Sequence, residues 1–185
     1  MQEADNKKLV EGIGVLIPLG DGRCAPAHLI KKDAPIFFMV AYDIAASRQE
    51  IVSADWLSFG PAIFEGNFFT VLIERGRWEN VGLRPISPAV RTPSYIVMIN
   101  GVPHLEDWDR ECMRVAANED LTRFSFRANH GPIMLENALR AHFGTGPSKD
   151  AYVQLRPTSP LTAAAQLRHL SEKKRGTSRD ITDFR

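Results

Sequence analysis

The sequence predicts an α+β fold: a β-rich, twisted, mostly antiparallel sheet, curved toward a barrel, with one or two helices confined to the C-terminal part. Three observations predict it. Continuous apolar runs of strand length recur at residues 36–42, 68–73 and 95–99. Glycine and proline interrupt the chain so often between residues 12 and 103 that no long helix fits there. Apolar residues at helical spacing occur only after Pro132.

The elements follow in order. Residues 1–9 read as a loose polar arm. Residues 13–19 are apolar and β-branched, and Pro18, which has no N–H to give a ladder, puts this strand at an edge or near its end. Gly20-Asp21-Gly22 supplies a tight turn into a second strand at 25–30. The run 36–42, bounded by turn residues, predicts a strand buried on both faces. Residues 68–73 have the same character. Residues 95–99 close on Asn100-Gly101, a strong hairpin turn. Phe124 and Phe126 alternate with Arg123, Ser125 and Arg127, as in a half-buried strand. Pro132 suits the first turn of a helix carrying Leu135, Ala138, Leu139 and His142, with Gly144 as its left-handed C-cap. A second helix begins at Ser159-Pro160, carries Leu161, Ala164, Leu167 and Leu170, and stops at Gly176. Residues 10–156 thus read as one domain, and 157–185 as a helix and flexible tail.

Composition narrows the functions. A chain of 185 residues with 44% hydrophobic and 24% charged residues can build an ordinary core. The formal net charge of +1 provides no global field toward nucleic acid or an anionic membrane. Cys24 and Cys112 are far apart and in no C-x-x-C pair, which reads as two reduced thiols of a cytoplasmic protein. The N-terminus has no apolar signal region, and no apolar run is long enough to span a bilayer.

Gly12-Ile13-Gly14 is not a dinucleotide fingerprint, because a polar arm precedes it and a strand follows it. The five histidines, His28, His104, His130, His142 and His169, form no H-x-x-x-H pair and sit near no carboxylate at metal-ligand spacing. No metal or cofactor is expected. The acidic cluster Glu106, Asp107, Asp109 and Glu111 around Trp108 has two readings. It is a solvated loop whose tryptophan tucks into the core, or an exposed aromatic anchor ringed by carboxylates and suited to a basic partner. The basic run Arg168, Lys173, Lys174, Arg175 and Arg179 complements a helix C-terminus; without interleaved aromatics it is a weak nucleic-acid signal.

Certain motifs resemble immunity-protein family 26, found beside polymorphic toxins in bacteria. They are Ile17-Pro18-Leu19-Gly20-Asp21-Gly22-Arg23, Pro61-Ala62-Ile63-Phe64, Gly76-Arg77-Trp78-Glu79-Asn80-Val81-Gly82 with Pro85-Ile86 and Thr92-Pro93, and His130-Gly131-Pro132-Ile133-Met134-Leu135-Glu136 leading to His142-Phe143-Gly144. The match spans roughly residues 10 to 145. The resemblance implies a non-enzymatic cytoplasmic protein that binds a cognate toxin domain and occludes its active site, with no cofactor. It carries over no toxin-contacting residues. If the toxin acts on nucleic acid, carboxylates would stand in for phosphates, which makes Glu106, Asp107, Asp109 and Glu111, with Trp108, the first candidates. Two alternatives stand beside it: a small enzyme using His104, His130 or Cys112, and a nucleic-acid-binding accessory protein using the basic tail. Oligomeric state stays open.

Overall fold

The computed structural model describes residues 9–33, 35–108, 110, 113–157 and 162–168. In chain order the elements are β1 (Ile13–Pro18), β2 (Cys24–Asp33), β3 (Ile36–Tyr42), α1 (Arg48–Ser53), a 3-10 turn (Trp56–Ser58), β4 (Ala62–Phe69), α2 (Val71–Glu74) and β5 (Glu79–Leu83). Then come β6 (Ser94–Ile99), β7 (Val102–Asp107), β8 (Met113–Val115), α3 (Asn118–Arg123), β9 (Asn129–His130), α4 (Pro132–His142) and a second 3-10 turn (Asp150–Leu155). Residues 163–168 are also helical. The α+β class is as the sequence predicts.

Where the sequence reads as one domain, backbone contacts group the described residues into two compact units. Among the described residues the larger draws on 9–92 and 128–157, the smaller on 93–127 and 162–168. The larger holds a six-stranded sheet in the order β5-β1-β2-β3-β4-β9, antiparallel except for the short β4–β9 pair. The sheet is open; its two edges, β5 and β9, do not meet, so the expected curvature does not close a barrel.

Both faces of this sheet are covered. Register places Val15, Ala27, Ala41 and Phe64 on one face. There they join a buried core with Trp78, Leu135, Ala138, Leu139 and Leu155. Gly14, His28, Val40 and Glu65 share the other face. Residues 47–59 supply Ile51, Trp56 and Phe59 as a second buried layer. Trp56 lies 4.7 Å from the His28 ring and 5.1 Å from Phe59. Two-sided burial explains why the β3 segment is apolar at nearly every position rather than alternating.

Gly14 is required by the second layer. A Cβ at this position would lie 2.6 Å from Trp56 Cη2 and 2.7 Å from Arg84 Cγ. Gly14→Ala should therefore destabilise by about 2 kcal/mol through overpacking. A urea midpoint equal to that of the parent chain would show that the Trp56 layer yields freely.

Two local expectations are corrected. Residues 68–73 are not a strand: β4 ends at Phe69, and Val71–Glu74 turn into a short helix. The Thr70 hydroxyl donates to Glu74 Oε1 at 2.5 Å, within hydrogen-bond reach of the turn it closes. Phe124 and Phe126 do not build a full strand; Phe126 makes an isolated parallel bridge to Ile96. The helix at 132–142 stands as expected, with Pro132 in its first turn and Gly144 at φ +75°. Of the second predicted helix only 163–168 falls within the described residues; the N-terminal arm at 1–8 and the tail from 169 lie outside them.

Candidate functional site

The acidic cluster lies on the smaller unit, whose sheet order is β6-β7-β8. Asn100 (φ +50°) and Gly101 (φ +82°) form the tight turn between β6 and β7. That turn fixes the pairs Ile99↔Val102, Val97↔His104 and Tyr95↔Glu106. β8 continues the register with His104↔Val115 and Glu106↔Met113. Side chains directly opposite one another share a face. One face therefore carries Tyr95, Val97, Ile99, Val102, His104, Glu106, Met113 and Val115. The opposite face carries Ile96, fully buried, and Arg114, whose two Nη atoms grip Asp120 of α3 at 2.6 and 2.9 Å. Asp120 Oδ2 also accepts from the Ala117 N–H at 2.7 Å. These bonds hold the Asp120 carboxyl below its usual range, the Arg114 side chain first among the causes.

Within the first face, Glu106 and Trp108 are committed to the unit's own packing. Glu106 is 9% exposed and accepts from Arg127 Nη1 at 2.9 Å. Arg110 Nε stands 3.9 Å from its other oxygen. The Arg127 guanidinium lies 4.6 Å over the Trp108 ring and 5.7 Å over Tyr95. Trp108 is 5% exposed, so its indole tucks into the unit instead of standing out as an anchor. Cation–π contact and ion pair thus share one arginine. Asp107 faces the other way and accepts from the Ser94 hydroxyl at 2.8 Å. Asp109 and Glu111 lie outside the described residues.

What this face offers to solvent is apolar. Val102 is 42% exposed, Met113 51% and Val115 60%. All three are on one face, and the last two are on β8, the edge strand. Among the described residues no further strand pairs with β8. An edge strand with exposed apolar side chains is a docking template that monomers usually blunt with charge. Sequence reading found the acidic turn but missed this edge; the alternation Met113-Arg114-Val115 was its signal.

The histidines of the enzyme reading belong to different units. His104 belongs to the smaller unit, where Nδ1 lies 3.0 Å from the Val102 carbonyl. His130 belongs to the larger unit, beside Phe68, and burial lowers its pKa. Cys112 lies outside the described residues. His142 hydrogen bonds to Asp43 Oδ1 through Nε2 at 2.7 Å. Among the described residues no group of three or more His, Cys, Asp or Glu could hold a metal ion, and no helix is long and apolar enough to cross a membrane. Arg168 ends the described part of the C-terminal segment; the other tail cations lie beyond it.

The motifs that carry the family resemblance do structural work in the larger unit. Trp78, 1% exposed, donates its indole N–H to Glu136 Oε2 at 3.0 Å, while Arg77 Nη2 reaches Glu136 Oε1 at 2.5 Å. Gly20 sits at φ +92°, and a Cβ there would meet the Arg140 guanidinium at 3.0 Å. Asp21 accepts from the Arg23 backbone N–H at 3.1 Å and from its Nε at 2.7 Å, closing the same turn. Comparison with known proteins finds no matching family model, no matching curated protein and no matching solved structure.

Proposed function

We propose that this protein is a non-catalytic inhibitor that binds a cognate bacterial toxin domain in the cytoplasm and occludes its active site, using the β7–β8 side of the smaller unit. The observation that carries the reading is the exposed set Val102, Met113 and Val115 beside β8, an edge that no strand among the described residues covers. Contiguous apolar surface of this kind favours a protein partner over a solvated face. An extended partner segment could add a strand to β8 through main-chain hydrogen bonds, with Met113 and Val115 giving side-chain contact.

The acidic turn supplies the polar part of the reading. Glu106 and Trp108 support the surface from within, through Arg127. The acidic run 107–111 follows β7 directly in sequence, and its carboxylates would steer a basic toxin groove toward this unit. The resemblance of the framework motifs to an immunity family supports the same class of function, since those motifs build a scaffold and leave the partner to be read by a variable surface.

Met113→Asp with Val115→Asp should weaken the complex by about a hundred-fold through desolvated charge at the contact centre, while the thermal melt of the free chain stays near that of the parent. Reversing Asp109 and Glu111 to lysine should chiefly slow association and reduce its salt sensitivity. Unchanged affinity in the Met113/Val115 pair would move the contact to another face.

A further inference from the structure

The larger unit carries a second feature that the inhibitor reading does not use. A cleft of about 410 Å³ opens between the last turn of α4 and the 3-10 turn Asp150–Leu155, above Phe64 of β4. Its apolar lining includes Ala138, Ala141 and Val153, and its polar lining includes His142, Lys149 and Arg156. That size lies in the range of small-molecule sites, and so does the mixture of apolar walls with a few polar groups.

One of its cations is held by a ring, and neither is neutralised. The Arg156 guanidinium lies 4.6 Å from the centre of the Phe64 ring. Stacking on a ring face positions a guanidinium while leaving its in-plane N–H donors available. Among the described residues neither Arg156 nor Lys149 makes a side-chain hydrogen bond or ion pair. Asp150 is the one carboxylate in the lining, against these two cations. His142 is fixed in orientation: Asp43 holds Nε2, and the Phe64 and Phe143 rings meet the imidazole nearly at right angles, at 5.9 and 4.8 Å.

We propose that this cleft binds a small organic anion, with its oxyanion on Arg156 and Lys149 and its apolar body against Ala141 and Val153. The shared chemistry is an oxyanion on a compact apolar group, whether phosphate or carboxylate. The site stands apart from the reading of the smaller unit and does not depend on a toxin partner.

Calorimetric titration of the full chain with phenyl phosphate, benzoate and benzyl alcohol tests it. One-to-one saturable binding of phenyl phosphate or benzoate is expected, with no binding of the uncharged alcohol. The tighter of the two anions identifies the phosphate or the carboxylate source. Arg156→Gln should weaken that binding by about ten-fold or more, since a charged hydrogen-bonding partner is lost. Lys149→Gln, which disturbs no ring contact, should weaken it in the same direction. Absence of saturable binding by both anions, equal binding of benzyl alcohol, or parental affinity in both variants would overturn the assignment.

Discussion

Glu136→Ala should destabilise the protein by about 3 kcal/mol, read from urea unfolding at neutral pH. The carboxylate is 2% exposed on α4, and both its oxygens are used: one by the Trp78 indole N–H and one by Arg77. Truncation leaves the indole N–H buried without a partner, because Trp78 is only 1% exposed. Arg77 is 49% exposed and can return to water, so its loss contributes less than that of the indole partner. Glu136→Gln keeps the shape and one acceptor and should cost about half as much. A loss below about 1 kcal/mol in the alanine variant would mean that this pair does not lock α4 to the segment leading into β5.

The second large effect is a dependence of stability on pH set by one buried and one half-buried group on one face of the large sheet. His28 is fully buried, and its Nδ1 lies 2.7 Å from the Tyr42 hydroxyl. Burial lowers its pKa to about 4; the Arg84 backbone opposes this and the Arg84 charge adds to it, each with a smaller effect than burial. The unfolded chain therefore binds a proton that the folded chain refuses between about pH 6.5 and 4. The contribution is complete above pH 6.5, is lost as pH falls through that window, and amounts to about 3 kcal/mol. Glu65 acts in the opposite sense. Burial raises its pKa to about 6 from 4.5, so its neutral form is favoured and its cost disappears on acidification through that range. Allowing for its partial exposure, this returns about 1 kcal/mol. Between pH 7.5 and 4.5 the two partly cancel in the parent chain. Glu65→Gln should steepen the fall in stability over that range, and His28→Asn should flatten it by about 2 kcal/mol. Urea unfolding of the three chains at both pH values decides it; parallel pH profiles would contradict the assignment.

The sequence was legible where burial and turn chemistry agreed. The run 36–42 matches β3 residue for residue because a strand buried on both faces is apolar throughout and ends at turns. Pro132 and Gly144 bracket α4 for reasons of backbone geometry alone. Residues 68–73 were misread because an unbroken apolar run has no period to separate strand from helix, and the turn at Thr70 is made by a side chain. α1 did carry a local signature, Ser47 with Glu50 three residues on. The two exchange side-chain and backbone bonds in a capping box. The grouping into two units was hidden because the smaller one is drawn from segments far apart in the chain.

At the candidate site, the acidic turn was visible as composition. The burial of Trp108 was one of the two readings of that turn; its cover, Arg127, was not legible, because it comes from a segment after α3. Glu136 was equally hidden as a partner of Trp78, though a lone carboxylate within the apolar stripe of α4 was a signal for one. Pairings across such sequence distances depend on topology, which local pattern does not encode.

The central claim is recognition of a protein partner. Its most direct test is calorimetric titration of the full chain against the toxin-like domain encoded beside it in its genome. The account predicts one-to-one binding in the nanomolar range, weakened in the Met113/Val115 aspartate variant and retained in Arg156→Gln. No heat of binding from folded samples of both proteins would contradict it.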